Sequence, residues 1–186
     1  MNAKNKPDQF TGRSLRAIFT TAAFGALGAM ACWVVALGSV LLCASPAGAN
    51  DLPFKGRIDG SLVATPTANP AIYLDVAHAV GNANHLGAFT KVTSDVVNLA
   101  TGEVTGAFTM TAANGDQLTG VYGGSFTFGP APGTFSWVLN ATITGGTGRF
   151  LHAIGEFVFI ADVNYVVVSG VVNGNYTETF DGIINY

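Results

Sequence analysis

Apolar and polar residues alternate along much of the second half of the chain. Phe108, Met110 and Ala112 stand at even positions, and Thr109 and Thr111 stand at the odd positions between them, so the two parities (even and odd positions) differ in polarity. The same alternation recurs in two later segments, 118–128 and 136–144. A period of two with one apolar face is typical of a β-strand that buries one face in a core.

Residues that favour turns separate the alternating runs. The turn signals fall at 66–70, 81–82, 101–102, 114–116, 130–133, 145–148 and 173–174. The pattern predicts strands over approximately 54–64, 71–80, 86–98, 103–113, 117–128, 134–144, 154–162 and 165–184, the last either continuous or broken at Asn173 and Gly174. Eight or nine evenly spaced strands form a meander, which becomes a barrel or a sandwich. We predict an all-β, antiparallel up-and-down barrel of eight strands, because closure removes exposed sheet edges.

One region is apolar on both parities. Phe157 and Phe159 fill one face of the predicted strand, while Val158 and Ile160 fill the other, and residues 165–172 behave similarly. A strand that is apolar on both faces is normally covered on both. We therefore predict a homo-oligomer that packs through residues 157–172. The alternative is that an N-terminal segment of the same chain covers this surface.

The first 49 residues have a different composition from the rest. Residues 1–16 carry four basic residues and one acid, and residues 17–44 carry no charge. Ala47, Gly48 and Ala49 then form an A-x-A site. This order is typical of a secretory signal peptide, although the apolar stretch is also long enough for an uncleaved membrane anchor. We predict a leader at 1–49 and a secreted or periplasmic barrel domain at 50–186.

Composition excludes several classes of function for residues 50–186. Four basic and ten acidic residues give this part a formal charge of about −6, so nucleic acid is not expected as a partner. Anionic membranes are equally poor partners once the leader is removed. Both cysteines, Cys32 and Cys43, lie in the leader, which excludes disulfides and thiol chemistry in the domain. No H-x-H or H-E-x-x-H spacing occurs, so we expect no metal site and no cofactor.

The aromatic residues are the main candidates for ligand contacts. Those expected to face the barrel interior are Phe108, Tyr122, Phe126, Phe128, Trp137 and Phe157. An eight-stranded barrel either fills its interior with side chains or holds one small ligand. We select Phe108, Tyr122, Phe126 and Trp137 as candidate ligand-binding residues, in a pocket at one end of the barrel.

Arg149 is the last basic residue of the chain and follows a run of glycines at 145, 146 and 148. One interpretation makes it a clamp for a carboxylate ligand at the barrel mouth. The other pairs it with a neighbouring carboxylate or with turn carbonyl groups, which would pin the loop between two strands. We prefer the structural interpretation and keep Arg149 among the candidate ligand-binding residues.

Glu156 and His85 are weak candidates for catalysis. Glu156 lies in a very apolar strand, where desolvation would favour its protonated form. An outward Glu156 in solvent is the competing interpretation. His85 can titrate near neutral pH, but no serine or acid nearby completes a nucleophilic set. A histidine that bonds a loop is the simpler interpretation.

Three short motifs follow one another along the chain. They are NHLGAFT at 84–90, TAANGDQLTG at 111–120 and TGGTGRFLHAIGEF at 144–157. Together they resemble secreted bacterial proteins with an allene oxide cyclase barrel-like domain, over roughly residues 54–186. The resemblance departs at Leu151 and His152, where that family tends to have a small pair. It implies an eight-stranded calycin-like barrel and no particular activity, because the bacterial members are mostly uncharacterised. The catalytic residues of the plant cyclases are not carried over to positions of this chain.

Three functions remain open at this stage. The first is an exported module that binds a small apolar molecule at one barrel mouth. The second is an allene oxide cyclase-like or dirigent-like isomerase or cyclase, which rests on analogy alone. The third is a structural or surface protein without a ligand, which requires a filled interior.

Overall fold

The computed structural model describes residues 51–186. The predicted leader at 1–49 lies outside the described residues. Residues 51–186 form eight strands and one short 3-10 helix, named in chain order β1 (Leu52–Pro66), β2 (Ile72–Ala83), β3 (Gly87–Asn98), β4 (Glu103–Ala112), β5 (Gln117–Phe128), β6 (Thr134–Gly146), η1 (Gly148–Phe150), β7 (Ile154–Val168) and β8 (Val171–Asn185). Within residues 51–186, no helix is long and apolar enough to cross a lipid bilayer.

The eight strands form one closed antiparallel barrel. Each strand pairs with the next along the chain, and β8 returns to pair with β1. Leu52 lies opposite Ile184 and Ala64 opposite Val172, so the closing pair runs over most of both strands. The predicted all-β, up-and-down, eight-stranded barrel is therefore confirmed.

The core lies inside the barrel. Within each strand, every second residue points inward, and most of these inward residues are apolar. Six phenylalanines are buried there: Phe54, Phe89, Phe108, Phe157, Phe159 and Phe180. Their rings meet edge to face or tilted, as between Phe157 and Phe159, whose centroids lie 4.7 Å apart. Inward glycines on neighbouring strands make room for them. A β-carbon at Gly56, for example, would collide with the ring of Phe180.

The loops that follow β2, β4 and β6 lie at one end of the barrel, which we call the closed end. Phe150 of η1 and Leu86 are buried there. All three sequence motifs meet at this end. Ala113 N–H donates to the Ala88 carbonyl at 3.2 Å, and Thr147 N–H donates to the Gln117 carbonyl at 2.8 Å. The motifs thus form one hydrogen-bonded cap.

Two predicted turns are wrong. Asn173 and Gly174 lie inside β8, and the last turn is at Ser169 and Gly170, both of which have positive φ. This two-residue turn matches the twist of a hairpin, and it extends β7 beyond the predicted end at 162.

The second wrong turn was expected at Gly81 and Asn82, which continue β2 to Ala83. Gly81 is needed for a close approach, because a β-carbon there would collide with the ring of Phe89. Gly81 and Gly174 both lie inside strands, where neighbouring side chains occupy the space that a β-carbon would need. The sequence alone does not distinguish such a glycine from one that permits a turn.

The outer face of β7 is not covered by any part of residues 51–186. Phe157 and Phe159 point inward and are buried, whereas Ile160 is 54% exposed and Val166 is 62% exposed. The homo-oligomer through residues 157–172 therefore stays a prediction.

Removal of the Phe159 side chain tests the aromatic core. Phe159 is fully buried, so we expect Phe159→Ala to lower the free energy of unfolding by about 3–5 kcal/mol. As a control, Val121→Thr, on the exposed outer face of β5 and outside residues 157–172, should change it by less than about 0.5 kcal/mol. Urea titrations followed by circular dichroism measure both values, and equal losses would contradict the inward parity of β7.

Candidate functional site

A cavity of about 190 Å³ occupies the other end of the barrel, which we call the open end. This end carries the loops 67–71, 99–102, 129–133 and 169–170. Leu99, Phe128 and Val167 line the cavity and are themselves exposed, so the cavity opens to solvent between them. Its other apolar lining residues include Leu62, Val97, Phe126, Phe135, Trp137 and Leu139. The walls are therefore mostly aliphatic and aromatic.

A buried ion pair forms part of the inner lining. Lys91 Nζ donates to Glu178 Oε1 at 2.7 Å and to Glu178 Oε2 at 2.8 Å. The side chains are only 4% and 1% exposed. The ammonium group also lies 4.0 Å from the centroid of the Phe159 ring, where a cation–π contact adds to its stabilisation. Both carboxylate oxygens of Glu178 are thus used by Lys91.

A second polar contact joins Asp95 to Tyr122. The Tyr122 hydroxyl donates to Asp95 Oδ1, and Thr93 Oγ1 lies 3.4 Å from Asp95 Oδ2. Gly106 lies between the two residues in register, opposite Asp95 on β3 and opposite Tyr122 on β5. A β-carbon at Gly106 would overlap the Asp95 carboxyl group. The missing side chain is what allows the tyrosine to reach across β4.

Asp75 lies directly opposite Asp95 in the β2–β3 register. Its side chain lines the cavity and the residue is 6% exposed. Among residues 51–186, Asp75 Oδ1 and Trp137 Nε1 are the buried side-chain polar atoms without a hydrogen-bond partner. Buried polar atoms are nearly always paired, so the cavity has hydrogen-bonding capacity that the protein itself does not use.

Burial shifts the titration of these groups. Desolvation raises the pKa of Asp95 to about 7, although its hydrogen bond from Tyr122 opposes the increase. Desolvation also raises the pKa of Asp75 to about 6, against the backbone amides of Val76 and Val63. Burial raises the pKa of Glu178, and the adjacent ammonium of Lys91 opposes that change. The carboxyl groups of Asp75 and Asp95 therefore lose their protons near neutral pH, well above the usual range for aspartate.

The structure brings some of the predicted ligand-binding residues together and separates others. Tyr122, Phe126 and Trp137 all line the cavity. Phe108 is buried in the aromatic core and is not part of the cavity wall, because it packs against Phe157 and Phe159. The six aromatics expected inside also include Phe128, which lies exposed on the rim of the open end.

Arg149 lies at the closed end, away from the cavity. Its Nε is 3.7 Å from Asp116 Oδ2, and its guanidinium carbon is 4.7 Å from the centroid of the Phe150 ring. Arg149 therefore joins the second and third motifs of the cap, as the structural interpretation expects, and it does not line the cavity. The glycine at 148 has positive φ and sits against the Asp116 carboxyl group, where a β-carbon would not fit.

Neither weak catalytic candidate lies at the cavity. Glu156 is exposed, on the outward parity of β7, so its strand does not desolvate it. His85 lies at the closed end, where its Nδ1 is 3.3 Å from the Tyr186 hydroxyl. The buried carboxyl groups that the sequence suggested at Glu156 are instead Asp75, Asp95 and Glu178.

These residues were missed although the sequence carried a signal for them. Lys91, Thr93 and Asp95 share the parity of Phe89, and Glu178 shares the parity of Phe180. Charged residues on the apolar parity of a strand indicate a polar group inside the barrel. Among residues 51–186, no group of three or more histidine, aspartate or glutamate side chains is arranged to hold a metal ion.

Comparisons with known proteins add little to this geometry. No family model matches the chain, and no curated protein matches it significantly. Among solved structures, the chain is similar to the pterocarpan synthase dirigent protein GePTS1, with a TM-score of 0.34 and 13% identity over 74% of this chain and 88% of that one. A likeness at this level carries no information about function.

The raised pKa values make stability depend on pH. Asp75 and Asp95 keep their protons to higher pH when folded than when unfolded, where their pKa is about 3.8. The folded state therefore binds more protons, and the free energy of unfolding falls as pH rises from about 4 to about 7. We expect a loss on the order of 6 kcal/mol across this window, measured by urea titration at each pH.

Asp95→Asn should flatten this pH profile because it removes the group with the higher pKa. Asp162→Asn, on the exposed outer face of β7, is the matched control and should leave the profile unchanged. If Asp95→Asn leaves the pH profile unaltered, the pKa of Asp95 is not raised in the folded protein.

The buried ion pair gives an independent prediction. Lys91→Met leaves Glu178 buried without a counter-charge and should cost about 3–5 kcal/mol, most of which Lys91→Met with Glu178→Met should recover. Lys55→Met is the control, since the Lys55–Asp181 pair has a similar distance of 2.8 Å but is exposed. Its effect should stay below about 1 kcal/mol. Equal losses in guanidinium titrations would contradict a desolvated pair.

Proposed function

We propose that this barrel binds a small, mostly apolar molecule at its open end. The observation that supports the proposal is the solvent-open cavity of about 190 Å³, whose apolar walls include two buried polar atoms without a hydrogen-bond partner, Asp75 Oδ1 and Trp137 Nε1. For comparison, a closed apolar cavity of about 150 Å³ binds benzene. Typical ligand pockets are larger. The ligand therefore has about the size of one aromatic ring with a short substituent.

The open end and the closed end differ in a way that favours this function. At the closed end, side chains and the cap fill the interior, with Phe150 fully buried. At the open end, rings such as Phe126 and Phe135 surround unfilled space. A barrel that served only as a structural protein would gain stability by filling that space, because cavities cost packing energy.

Export and family are part of the proposal. We propose that residues 1–49 direct the chain out of the cytoplasm and that the domain belongs with the allene oxide cyclase barrel-like proteins of bacteria. The basic segment 1–16, the uncharged segment 17–44 and the A-x-A sequence at 47–49 support export. The three motifs of the cap support the family.

Isomerase or cyclase activity is the second candidate function. It is favoured by Asp95, an acid in an apolar cavity whose pKa of about 7 suits proton transfer at neutral pH. Its partner Tyr122 holds the carboxyl group in place. A narrow apolar cavity of this kind would also hold a reactive conformer. Binding comes first because both functions require it.

Blocking the mouth tests the binding proposal. Val172 lines the cavity, whereas its neighbour Val171 lies on the opposite parity of β8. With the unsubstituted protein, saturating toluene should raise the melting temperature, since a ligand that binds only the folded state stabilises it. Val172→Trp should abolish this increase and Val171→Trp should retain it. No increase in the unsubstituted protein, or equal responses of the two variants, would contradict a ligand in this cavity.

A further inference from the structure

The charges that line the cavity are unbalanced. Asp75, Asp95 and Glu178 face it with one cation, Lys91. That cation is already bonded to both oxygens of Glu178. Two acids are therefore left without a basic partner in the lining, next to each other across the β2–β3 pair.

The two acids also have unequal partners. Asp95 accepts the hydrogen bond of Tyr122. Asp75, by contrast, has one oxygen that no donor among residues 51–186 reaches, although the residue is more than nine-tenths buried. A buried acceptor without a donor costs free energy. A ligand that brings a donor to Asp75 would recover that cost.

The walls around the acids are aromatic. The rings that line the cavity are those of Tyr73, Tyr122, Phe126, Phe128, Phe135, Trp137, Tyr165 and Tyr176. Aromatic faces attract organic cations electrostatically, most strongly where water is excluded. Within this barrel Lys91 already shows the arrangement, since its ammonium lies over Phe159.

We infer that the ligand is a small aromatic or aliphatic amine, whose ammonium group binds between Asp75 and Asp95 while its apolar part occupies the aromatic walls. This inference rests on the proposed function. An ammonium group supplies donors to both carboxyl groups at once and the charge that the lining lacks. An anionic ligand is disfavoured, because its charge would face two acids and meet a cation already engaged by Glu178.

Three probes of one shape test the inference on the full chain by isothermal titration calorimetry. They are phenethylamine, phenethyl alcohol and phenylacetate, which carry a cation, a neutral hydroxyl and an anion. At about pH 8, where both acids are ionised, we expect the amine to bind at least about tenfold more tightly than the alcohol. Phenylacetate should bind most weakly.

The outcomes separate this inference from the proposed function. If the alcohol binds as tightly as the amine, the inference is overturned while the binding function stands. If none of the three probes binds while toluene still stabilises the protein, only the inference is overturned; if toluene fails as well, both are overturned. Preference for phenylacetate would also overturn the inference, because it would require Lys91 to leave Glu178 for the ligand.

Variants of the two acids localise the effect. Asp75→Asn and Asp95→Asn should each weaken amine binding at least about tenfold and change alcohol binding by less than about threefold. Asp162→Asn should change neither. Because both substitutions remove a buried acid, we expect the variants to fold, and their melting curves check this. Undiminished amine binding by both variants would overturn the inference.

The pH profile gives a second readout. The titratable groups that face the two acids are Lys91, Tyr122, Tyr176 and Glu178. Asp75 and Asp95 lose their protons near neutral pH, so amine affinity should rise at least about tenfold from about pH 5 to about pH 8. Alcohol affinity should stay nearly constant. A flat profile for the amine would contradict ion pairing with these acids.

Discussion

Closure of the sheet between β1 and β8 is the constraint on which the rest of the structure depends. A closed ring of eight strands has no free edge, and it assigns each residue of every strand to the interior or to the outside. The pairing of Leu52 with Ile184 and of Ala64 with Val172 completes that ring. The same parity that buries Phe180 therefore also brings Glu178 inside, where water cannot solvate it. Because closure places Glu178 inside the barrel, its carboxylate needs a buried partner, which Lys91 supplies.

Small residues then decide which inward side chains meet. An eight-stranded barrel has little room, and a large ring can cross to a neighbour only where the strand between them has no side chain. Gly106 allows Tyr122 to reach Asp95, and Gly60 makes space for the ring of Tyr176 in the same way. The polar contacts of the cavity are thus built from glycines as well as from the charged residues.

The sequence predicts the barrel well because alternation and turn residues report directly on local backbone geometry. It fails at Asn173 and Gly174, where a residue pair typical of a turn lies inside a long strand. A glycine can be needed because a neighbouring side chain leaves no room for a β-carbon, and not only because the backbone turns. It also places the buried acid at Glu156 instead of Asp95. Glu156 lies at an outward position of β7, whereas Asp95 lies at an inward position of β3. The sequence of β7 does not show which of its positions point inward, because both of its faces are apolar. Which polar groups meet across the interior depends on pairing between distant strands, such as β3 with β8 through Lys91 and Glu178, which local patterns do not record.

The cap and the cavity occupy opposite ends of the same barrel. All three sequence motifs belong to the cap, while Asp75, Lys91 and Asp95 belong to none of them. A protein with the same three motifs but with leucine at 75 and 95 would keep the cap and lose two of the three carboxyl groups that line the cavity. The two ends are therefore built from separate sets of residues, so a substitution in the cavity lining need not disturb the cap.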